Sequence, residues 1–456
     1  MTHIRKFRPT QKVPIHIYDR PWPIDKKFLG QAFTIGYHGE FSKYPVLVHS
    51  FYPHSPALAD FERRAAKEYY RVSYNGDVKM DTILTNEIQA MIRNDIQPVL
   101  IFQTAKKAEF FYNRYRKRFG DKVKMIFYMN LMPETSGFVY NGKLTKKGEI
   151  FASSDYDAYV AVSGVAQEEY LDYGLAPKGK IEVISNGVSM KTYSPLPPTE
   201  RAVWRTRLGL ETDYVIAYSG RANEGKGVDV LLELMQVFED RNSLNENKFS
   251  FLFALSNGPE RAEFVNEMAY RFPKLTKSNR IAVVIDIAKY TNGYSNLLDA
   301  PRGRIEVLDD TREYLLERVD LNPALFKGIC FKPVQGIADI TVQPSYSESF
   351  SNVVLESMAI GTPVVALDSG GPGELIRNMG GYLITPTGFV QNDVVKRVSH
   401  KEVRGLANQF LENIMIAVDD VSVDPGLKQE LILAVKRTGR TARDMVNYID
   451  NLIWRL

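Results

Sequence analysis

The sequence predicts an α/β protein of two doubly wound domains, each with a parallel β-sheet covered by helices on both faces. Short apolar runs alternate with longer stretches of helical period, and the apolar runs are continuous, as in strands buried on both faces. The alternation stops at the proline-rich "KTYSPLPPTE" (191–200), which we interpret as a linker, and then starts again. A length of 456 residues is enough for two such domains with separate cores.

The predicted strands fall into two sets, one on each side of the linker. The first set is 13–19, 97–103, 122–130, 156–163 and 180–186, and the second is 214–220, 249–257, 280–287, 338–344, 362–368 and 381–386. We therefore predict an N-terminal domain over residues 1–195, a C-terminal domain over 196–435, and a C-terminal helix within 436–456 that packs back toward the N-terminal domain. Residues 288–327 show no clear period and are predicted to be an insertion.

The composition is that of an ordinary globular protein, with 44% hydrophobic and 25% charged residues. Cys330 is the only cysteine, which excludes an internal disulfide and a cysteine-rich metal site. No apolar run is long enough to span a bilayer, and no apolar segment follows the basic start as in a signal peptide. We therefore expect a cytoplasmic protein.

Charge is divided unevenly along the chain. Residues 1–195 hold 28 Lys and Arg against 20 Asp and Glu, a net charge of +8. Residues 196–456 hold 30 Lys and Arg against 34 Asp and Glu, a net charge of −4. A basic first half favours an anionic partner or surface there, and we predict no nucleic-acid partner. The basic helix predicted in "KKAEFFYNRYRKRF" (106–119) either rests on the inner face of an anionic membrane or packs with a solvated basic face.

The loop after the strand 214–220 has the composition of a phosphate-binding turn. "GRANEGKG" (220–227) combines glycines, which let the backbone approach a ligand, with the cations Arg221 and Lys226. A helix is predicted from Val228, so the loop leads to a helix N-terminus at the carboxyl end of a strand, where anions bind. The stretch predicts a site for an anionic group such as a diphosphate.

A nucleotide-hydrolase interpretation competes with this one. The first seven of these residues (220–226) fit the first seven positions of a P-loop, G-x-x-x-x-G-K. In addition, "IAVVID", ending at Asp286, resembles the metal-binding strand of that motif. However, the P-loop needs a Ser or Thr hydroxyl after its lysine to hold Mg²⁺, and this chain has Gly227 there. Dependence of nucleotide binding on Mg²⁺ separates the two interpretations.

Two carboxylates stand at the ends of "ESFSNVVLE" (348–356). Ser351 is a good N-cap for a helix reaching Ile360, so Glu348 is predicted in the preceding loop and Glu356 inside the helix. The N–H groups at this helix start would form a second anion site, whereas a carboxylate accepts hydrogen bonds from vicinal hydroxyls. A nucleotide sugar has hydroxyls at both ends and phosphates between them. It would therefore suit both the anion site at the helix start and the two carboxylates.

Three segments together resemble the retaining GT-B glycosyltransferases of family four, also called glycosyl transferases group 1. They are "GRANEGKG", "SESFSNVVLESMAIGTPVVALDSGG" (347–371) and "VISNGVSMKTYSP" (183–195). The resemblance implies the GT-B fold, in which two Rossmann-like domains face each other across a cleft. It also implies transfer, with retention, of a hexose-type sugar from a UDP- or GDP-sugar to a hydroxyl acceptor, in the synthesis of cell-surface glycans or glycoconjugates.

The resemblance assigns the donor to the C-terminal domain and the acceptor to the N-terminal one. Arg221 and Lys226 would neutralise the leaving diphosphate, Glu348 would hold hydroxyls of the transferred sugar, and Glu356 would hold the ribose. The remaining donor-binding positions that it implies are Gly220, Phe350, Ser351, Asn352 and Val353, with Asn186 and Gly187 at the hinge side of the cleft. The resemblance implies neither a bound metal nor a cofactor.

The chain departs from the family pattern mainly in its first half. "YDRPWPID" (18–25) stands where family members commonly have a glycine-rich turn, and the nearest candidate for that turn is 28–40. Asn130 takes the place of a histidine that often ends a middle strand, and Ser189 that of an aspartate. The departures motivate a third hypothesis, a degenerate GT-B module that binds or regulates without turnover. His38, His49 and His54 lie close in sequence, but their spacing does not predict a metal site.

Overall fold

The fold is described from a computed structural model of the chain. The described residues are 11–21, 37–38, 41–42, 46–52, 70–73, 77–103, 105–240, 248–255, 259–286, 326–330, 333–385 and 399–456. They form two compact units, residues 1–187 with 442–456, and residues 188–441. Each unit contains one parallel sheet of seven strands.

The N-terminal unit has the strand order β3-β2-β1-β4-β5-β8-β9, and a small hairpin, β6-β7, lies outside this sheet. The strands are β1 (Lys12–Pro21), β2 (Leu47–Tyr52), β3 (Tyr70–Ser73), β4 (Gln97–Phe102), β5 (Lys124–Met129), β6 (Val139–Tyr140), β7 (Lys143–Leu144), β8 (Ala158–Ala161) and β9 (Ile181–Val183). Its helices are Asp77–Arg93, Ala105–Phe119, Lys146–Ala152, Gly164–Asp172 and Ala442–Arg455, with 3-10 turns at Gly120–Lys122 and Lys178–Lys180.

The C-terminal unit has the strand order β13-β12-β11-β10-β14-β15-β16. The strands are β10 (Tyr214–Gly220), β11 (Phe249–Leu255), β12 (Ile281–Asp286), β13 (Phe326–Cys330), β14 (Ile340–Gln343), β15 (Val364–Leu367) and β16 (Tyr382–Ile384). Its helices are Pro198–Leu208, Val228–Asp240, Pro259–Arg271, Pro273–Lys277, Val334–Ile337, Asn352–Ile360, Gly371–Met379, His400–Val423 and Leu427–Arg437, with a 3-10 turn at Glu224–Lys226.

The continuous apolar runs become buried central strands, as predicted. Every residue of β11 and of β14 is buried, and five of the six residues of β4 are buried. Apolar side chains on both faces of these strands pack against helices, which is the arrangement that makes a parallel sheet stable. The prediction of two doubly wound α/β domains is confirmed.

Three strands of the two sheets were not predicted from the sequence: β2, β3 and β13. β2 carries a histidine and a serine, and β3 has only four residues, so neither forms a long apolar run. β13 overlaps the predicted insertion 288–327, of which residues 288–325 lie outside the described residues.

The unit boundaries differ from the predicted ones. The chain divides at residues 187/188 and 441/442, whereas the divisions predicted from the sequence are at 195/196 and 435/436. The predicted linker 191–200 is also shorter than expected, because a helix begins at Pro198. Proline is favoured at the first helical position, where its missing N–H costs no hydrogen bond.

The C-terminal helix Ala442–Arg455 belongs to the N-terminal unit. The Lys12 ammonium, on β1, donates to the carbonyl oxygen of Trp454 over 2.7 Å, and Arg455 pairs with Glu182 of β9 over 2.7 Å. The cation of Lys12 lies at the negative end of the helix dipole, so the contact is electrostatically favourable.

The basic helix Ala105–Phe119 is anchored by its own charges. Tyr115 is fully buried, and the Arg114 and Arg116 guanidinium groups pair with Asp81 (2.5 Å) and Asp157 (2.6 Å). These contacts support the interpretation of this helix as a packed element with a solvated face. None of the helices in the described part of the chain is long and apolar enough to cross a membrane.

Candidate functional site

The candidate donor site lies at the carboxyl edge of the C-terminal sheet, where the loops after β10 and β14 touch. Gly227 ends the 3-10 turn Glu224–Lys226 with a φ of +70°. A Cβ atom at this position would lie 2.1 Å from the carbonyl oxygen of Pro344, so only glycine permits the contact. The close approach brings the glycine-rich loop against the loop that carries Glu348.

Tyr346 joins the same two loops by two hydrogen bonds. Its backbone N–H donates to the carbonyl oxygen of Gly225 over 3.1 Å, and its phenol donates to the Asp229 carboxylate over 2.8 Å. Burial raises the pKa of Asp229, and hydrogen bonds from Tyr346 and from backbone N–H groups oppose that rise. Tyr346 therefore fixes the register between the glycine-rich loop and the loop after β14.

Lys226 and Glu348 form an ion pair across these loops, and the side chain of each is 17% exposed. The other carboxylate oxygen of Glu348 accepts a 2.8 Å hydrogen bond from the amide nitrogen of Gln343, the last residue of β14. The backbone of Glu348 is also fixed, because its N–H donates to Ser369 and its carbonyl accepts from Gly371. The acid therefore has one well-defined position.

The helix after Glu348 begins as the sequence predicted. Ser351 is the N-cap of the helix Asn352–Ile360, and its hydroxyl accepts a hydrogen bond from the N–H of Val354. Phe350, 7% exposed, precedes this cap. A helix N-terminus carries partial positive charge and donors that suit an anion, so the site combines this helix start with Lys226 and Arg221.

The structure brings most of the predicted residues together. Gly220 and the exposed Arg221 stand at the carboxyl end of β10, next to the turn that holds Lys226. Glu356 is inside the helix as predicted, but it is only 5% exposed, and it accepts a 3.5 Å hydrogen bond from Gln335. Its proposed ribose contact remains a prediction.

Sequence reasoning missed three polar residues of this site: Gln343, Tyr346 and Asp229. Gln343 carried a usable signal, since a polar residue ends the apolar strand "ITVQ" and is 2% exposed. The contact of Tyr346 with Asp229 joins residues 117 positions apart and has no local signature.

The N-terminal unit contains a second polar cluster, a buried chain of hydrogen bonds. His16 Nε2 lies 2.7 Å from His38 Nδ1, and His38 Nε2 lies 3.2 Å from a carboxylate oxygen of Asp450. His16 Nδ1 lies 3.2 Å from the amide nitrogen of Gln103, whose side-chain oxygen accepts from Asn130 over 3.0 Å. The chain leads from the C-terminal helix to Asn130, at the carboxyl end of β5.

The carboxylate of Asp450 sets the direction of every hydrogen bond in this chain. It can only accept, so His38 donates from Nε2 and accepts at Nδ1 from the Nε2–H of His16. Gln103 then donates to His16 and accepts from Asn130. His38 is thus a buried core histidine, and among the described residues no cluster of His, Cys, Asp and Glu is arranged to hold a metal ion.

Comparison with known proteins finds matches over the part of the chain that contains Glu348. The family model of the glycosyl transferases group 1 matches residues 332–406, which include Glu348 and the helix that follows it. A D-inositol 3-phosphate glycosyltransferase of Salinispora arenicola is 28% identical over 228 residues, 49% of this chain and 42% of the relative. The corresponding protein of Thermobispora bispora is 29% identical over 224 residues, 49% and 42% of the two chains. The matched stretch therefore spans less than half of these relatives' length.

Solved structures resemble the whole chain. Anabaena Alr3699/HepE in complex with UDP superposes with a TM-score of 0.65 at 15% identity, covering 97% of this chain and 100% of that one. Sucrose-phosphate synthase of Thermosynechococcus elongatus gives a TM-score of 0.60 at 17% identity, with coverages of 97% and 98%. The chain has the GT-B fold, and the predicted resemblance to GT-B glycosyltransferases is confirmed.

Replacing Gly227 with alanine should destabilise the C-terminal unit. The positive φ alone costs about 1–2 kcal/mol for a residue with a Cβ, and the clash with Pro344 adds to it. We expect a lower urea midpoint and weaker nucleotide binding. Gly225→Ala is the matched control, because its Cβ would meet nothing closer than 3.9 Å. Equal effects of the two substitutions would contradict the steric argument.

The His16–His38 contact predicts that acid destabilises the N-terminal unit. Burial, and to a lesser extent His38, lowers the pKa of His16 well below its usual range. Between pH 7 and 5 the unfolded chain takes up a proton that folded His16 does not, so stability falls as pH falls, by up to about 1.4 kcal/mol per pH unit.

The measurement is the free energy of unfolding against pH, together with the NMR titration of the His16 ring. His16→Gln should flatten the pH dependence, whereas His400→Gln, at an 83% exposed histidine, should not. A His16 ring that titrates near pH 6.5 would contradict the account.

Proposed function

We propose that the protein is a retaining, metal-independent glycosyltransferase that moves a hexose-type sugar from a UDP- or GDP-sugar to a hydroxyl acceptor. The observation that carries the proposal is the Lys226–Glu348 pair next to the N-terminus of the helix Asn352–Ile360. Cationic and N–H groups suited to a diphosphate there adjoin a carboxylate suited to hydroxyls.

In this proposal the donor diphosphate binds Arg221, Lys226 and the N–H groups at the start of the helix after Ser351. As the bond between sugar and phosphate breaks, negative charge grows on the departing phosphate oxygen. Cations already held in place stabilise this charge, and such preorganised electrostatic stabilisation is often the largest contribution to catalysis. Lys226 and Arg221 therefore supply the charge stabilisation that a divalent metal supplies in other enzymes.

Glu348 has two roles in this proposal. Its ion pair with Lys226 keeps the lysine side chain in the site. A carboxylate has about four acceptor positions, so Glu348 can keep its contacts with Lys226 and Gln343 and still accept hydroxyls of the sugar. Glu356 would hold the ribose, and Phe350 would shape the pocket.

The acceptor is proposed to bind the N-terminal unit, near Asn130 at the carboxyl end of β5. Ligands of open α/β sheets bind at this edge, and the buried chain from Asp450 orients the Asn130 amide. The named relatives act on D-inositol 3-phosphate, and one neighbouring structure contains UDP and glucose, which supports a sugar or polyol hydroxyl as the acceptor class.

We further propose a cytoplasmic location, in keeping with the single cysteine, and a role in cell-surface glycan or glycoconjugate synthesis. Peripheral contact of the basic N-terminal half with an anionic membrane is part of this proposal. Arg114 and Arg116 are paired internally, and within residues 111–119 Lys117 and Arg118 are exposed cations available for such contact.

The experiment that tests the function is calorimetric binding of UDP, GDP, ADP and ATP, each with EDTA and again with Mg²⁺. We expect one nucleoside diphosphate to bind without metal, and its base then selects the sugars to screen for turnover. Binding of ATP only with Mg²⁺ would overturn the proposal in favour of a P-loop nucleotide hydrolase.

Replacing Glu348 with alanine should remove transfer and spare nucleotide binding. Loss of one preorganised transition-state contact costs about 10²–10³-fold in turnover. The affinity for the nucleoside diphosphate should stay the same or increase, because the carboxylate no longer competes for Lys226.

Turnover of the nucleotide sugar, including its slow hydrolysis without acceptor, and calorimetric affinity are the two readouts. The control is Glu224→Ala, which removes an exposed acid from the 3-10 turn Glu224–Lys226. It should change neither turnover nor affinity. Collapse of nucleotide binding in Glu348→Ala would contradict the assigned role, and the absence of any hydrolysis by the wild type would favour a binding module.

A further inference from the structure

Arg261 is a buried cation that has no counter-charge among the residues that the structure describes. It is 3% exposed and lies in the first turn of the helix Pro259–Arg271, yet its side chain has no hydrogen-bond or ion-pair partner within the described part of the chain. One terminal nitrogen of the guanidinium, Nη1, is fully buried and donates to nothing. Burial lowers the pKa of Arg261, and no acid opposes that shift.

Such an arrangement is unfavourable in the free protein. A buried charge without a partner loses its hydration and gains no compensating contact, which costs several kcal/mol. The acids of the same helix, Glu260, Glu263 and Glu267, are all exposed, and none of them pairs with Arg261. A residue that serves only packing would be apolar here, like its neighbours Phe264 and Val265.

Arg261 stands in the first turn of its helix, on the helix face that is buried. Phe264, Val265 and Met268 are buried at spacings of three, four and seven from Arg261, so all four lie on the inward face of the helix. Side chains on a helix lean toward its N-terminus. The guanidinium in the first turn is therefore directed to the helix start, where unpaired N–H groups and the helix dipole are also positive.

This helix start lies on the same edge as the glycine-rich loop. β11, which precedes the helix, runs parallel to β10, and their last residues, Leu255 and Gly220, are paired. Arg221 follows Gly220 directly. Two arginines thus come from the carboxyl ends of two neighbouring strands, although only Arg221 belongs to the motif that the sequence analysis singled out.

We propose that Arg261 and the N-terminus of the helix Pro259–Arg271 form an anion site that binds a phosphate-class oxyanion, in addition to the Arg221–Lys226 site. The planar fork of the guanidinium matches phosphate oxygens, and the helix N–H groups supply further donors. The oxyanion is either a phosphate of the donor nucleotide, in which case the assignment rests on the proposed function, or free phosphate, in which case it does not.

The test compares Arg261→Met with Arg261→Lys and with the control Arg271→Met at the other end of the same helix. Arg271 pairs with Glu233 and Glu267 and is 30% exposed. Melting temperature without ligand is measured first. Calorimetric affinities for UDP, GDP, uridine, guanosine and inorganic phosphate are measured next, on the full chain.

We expect Arg261→Met to melt at the same or a higher temperature than the wild type, because an unpaired buried charge is removed. It should bind the phosphate-bearing ligand at least about tenfold more weakly, the loss of one charge-assisted hydrogen bond. Arg261→Lys should recover part of the affinity, and Arg271→Met should melt lower with unchanged affinity. If Arg261→Met loses affinity for UDP or GDP alone, the bound oxyanion is a phosphate of the nucleotide. If it loses affinity for inorganic phosphate, the bound oxyanion is free phosphate.

The proposal of this anion site is wrong if Arg261→Met lowers the melting temperature and leaves every affinity unchanged, since the residue would then be structural. It is equally overturned if melting rises and every affinity is unchanged, or if the wild type binds no phosphate-bearing ligand. Failure of the proposed function looks different: no nucleotide sugar is turned over, whatever the outcome at Arg261.

Discussion

The close approach of Gly227 to Pro344 is the constraint on which the candidate site depends. A side chain at position 227 would push apart two loops that leave neighbouring strands, β10 and β14. With glycine there, Lys226 reaches Glu348, and Tyr346 bonds to Gly225 and Asp229. One missing Cβ thus allows residues more than 100 positions apart to form a single rigid constellation.

The candidate site places positive charges next to hydrogen-bond acceptors. A nucleotide sugar brings negative phosphates and neutral hydroxyls, so a site for it needs cations and acceptors side by side. Holding Lys226 against Glu348 keeps both in place and limits the repulsion among cations before a ligand arrives. Arg261 differs, because it is buried without a partner in the described part of the chain, and its proposed partner is the ligand itself.

Local features of this fold could be predicted from the sequence, and long-range contacts could not. Ser351 as a cap and Ile360 as the helix end follow from residue types within ten positions. The contact between His38 and Asp450 spans 412 positions and leaves no periodicity to detect. The pairing of Lys226 with Glu348 was equally hidden, although each residue had been assigned to the donor site separately. β3 was missed because four residues carry too little pattern.

The most direct test of the central claim is a crystal structure of the protein with the nucleoside diphosphate that binds in the calorimetric panel. The account predicts that the diphosphate oxygens lie within hydrogen-bond distance of the Lys226 ammonium and of the N–H groups that follow Ser351. It also predicts that Glu348 stays in contact with Lys226. A diphosphate bound away from Lys226 and from the start of the helix Asn352–Ile360 would contradict it.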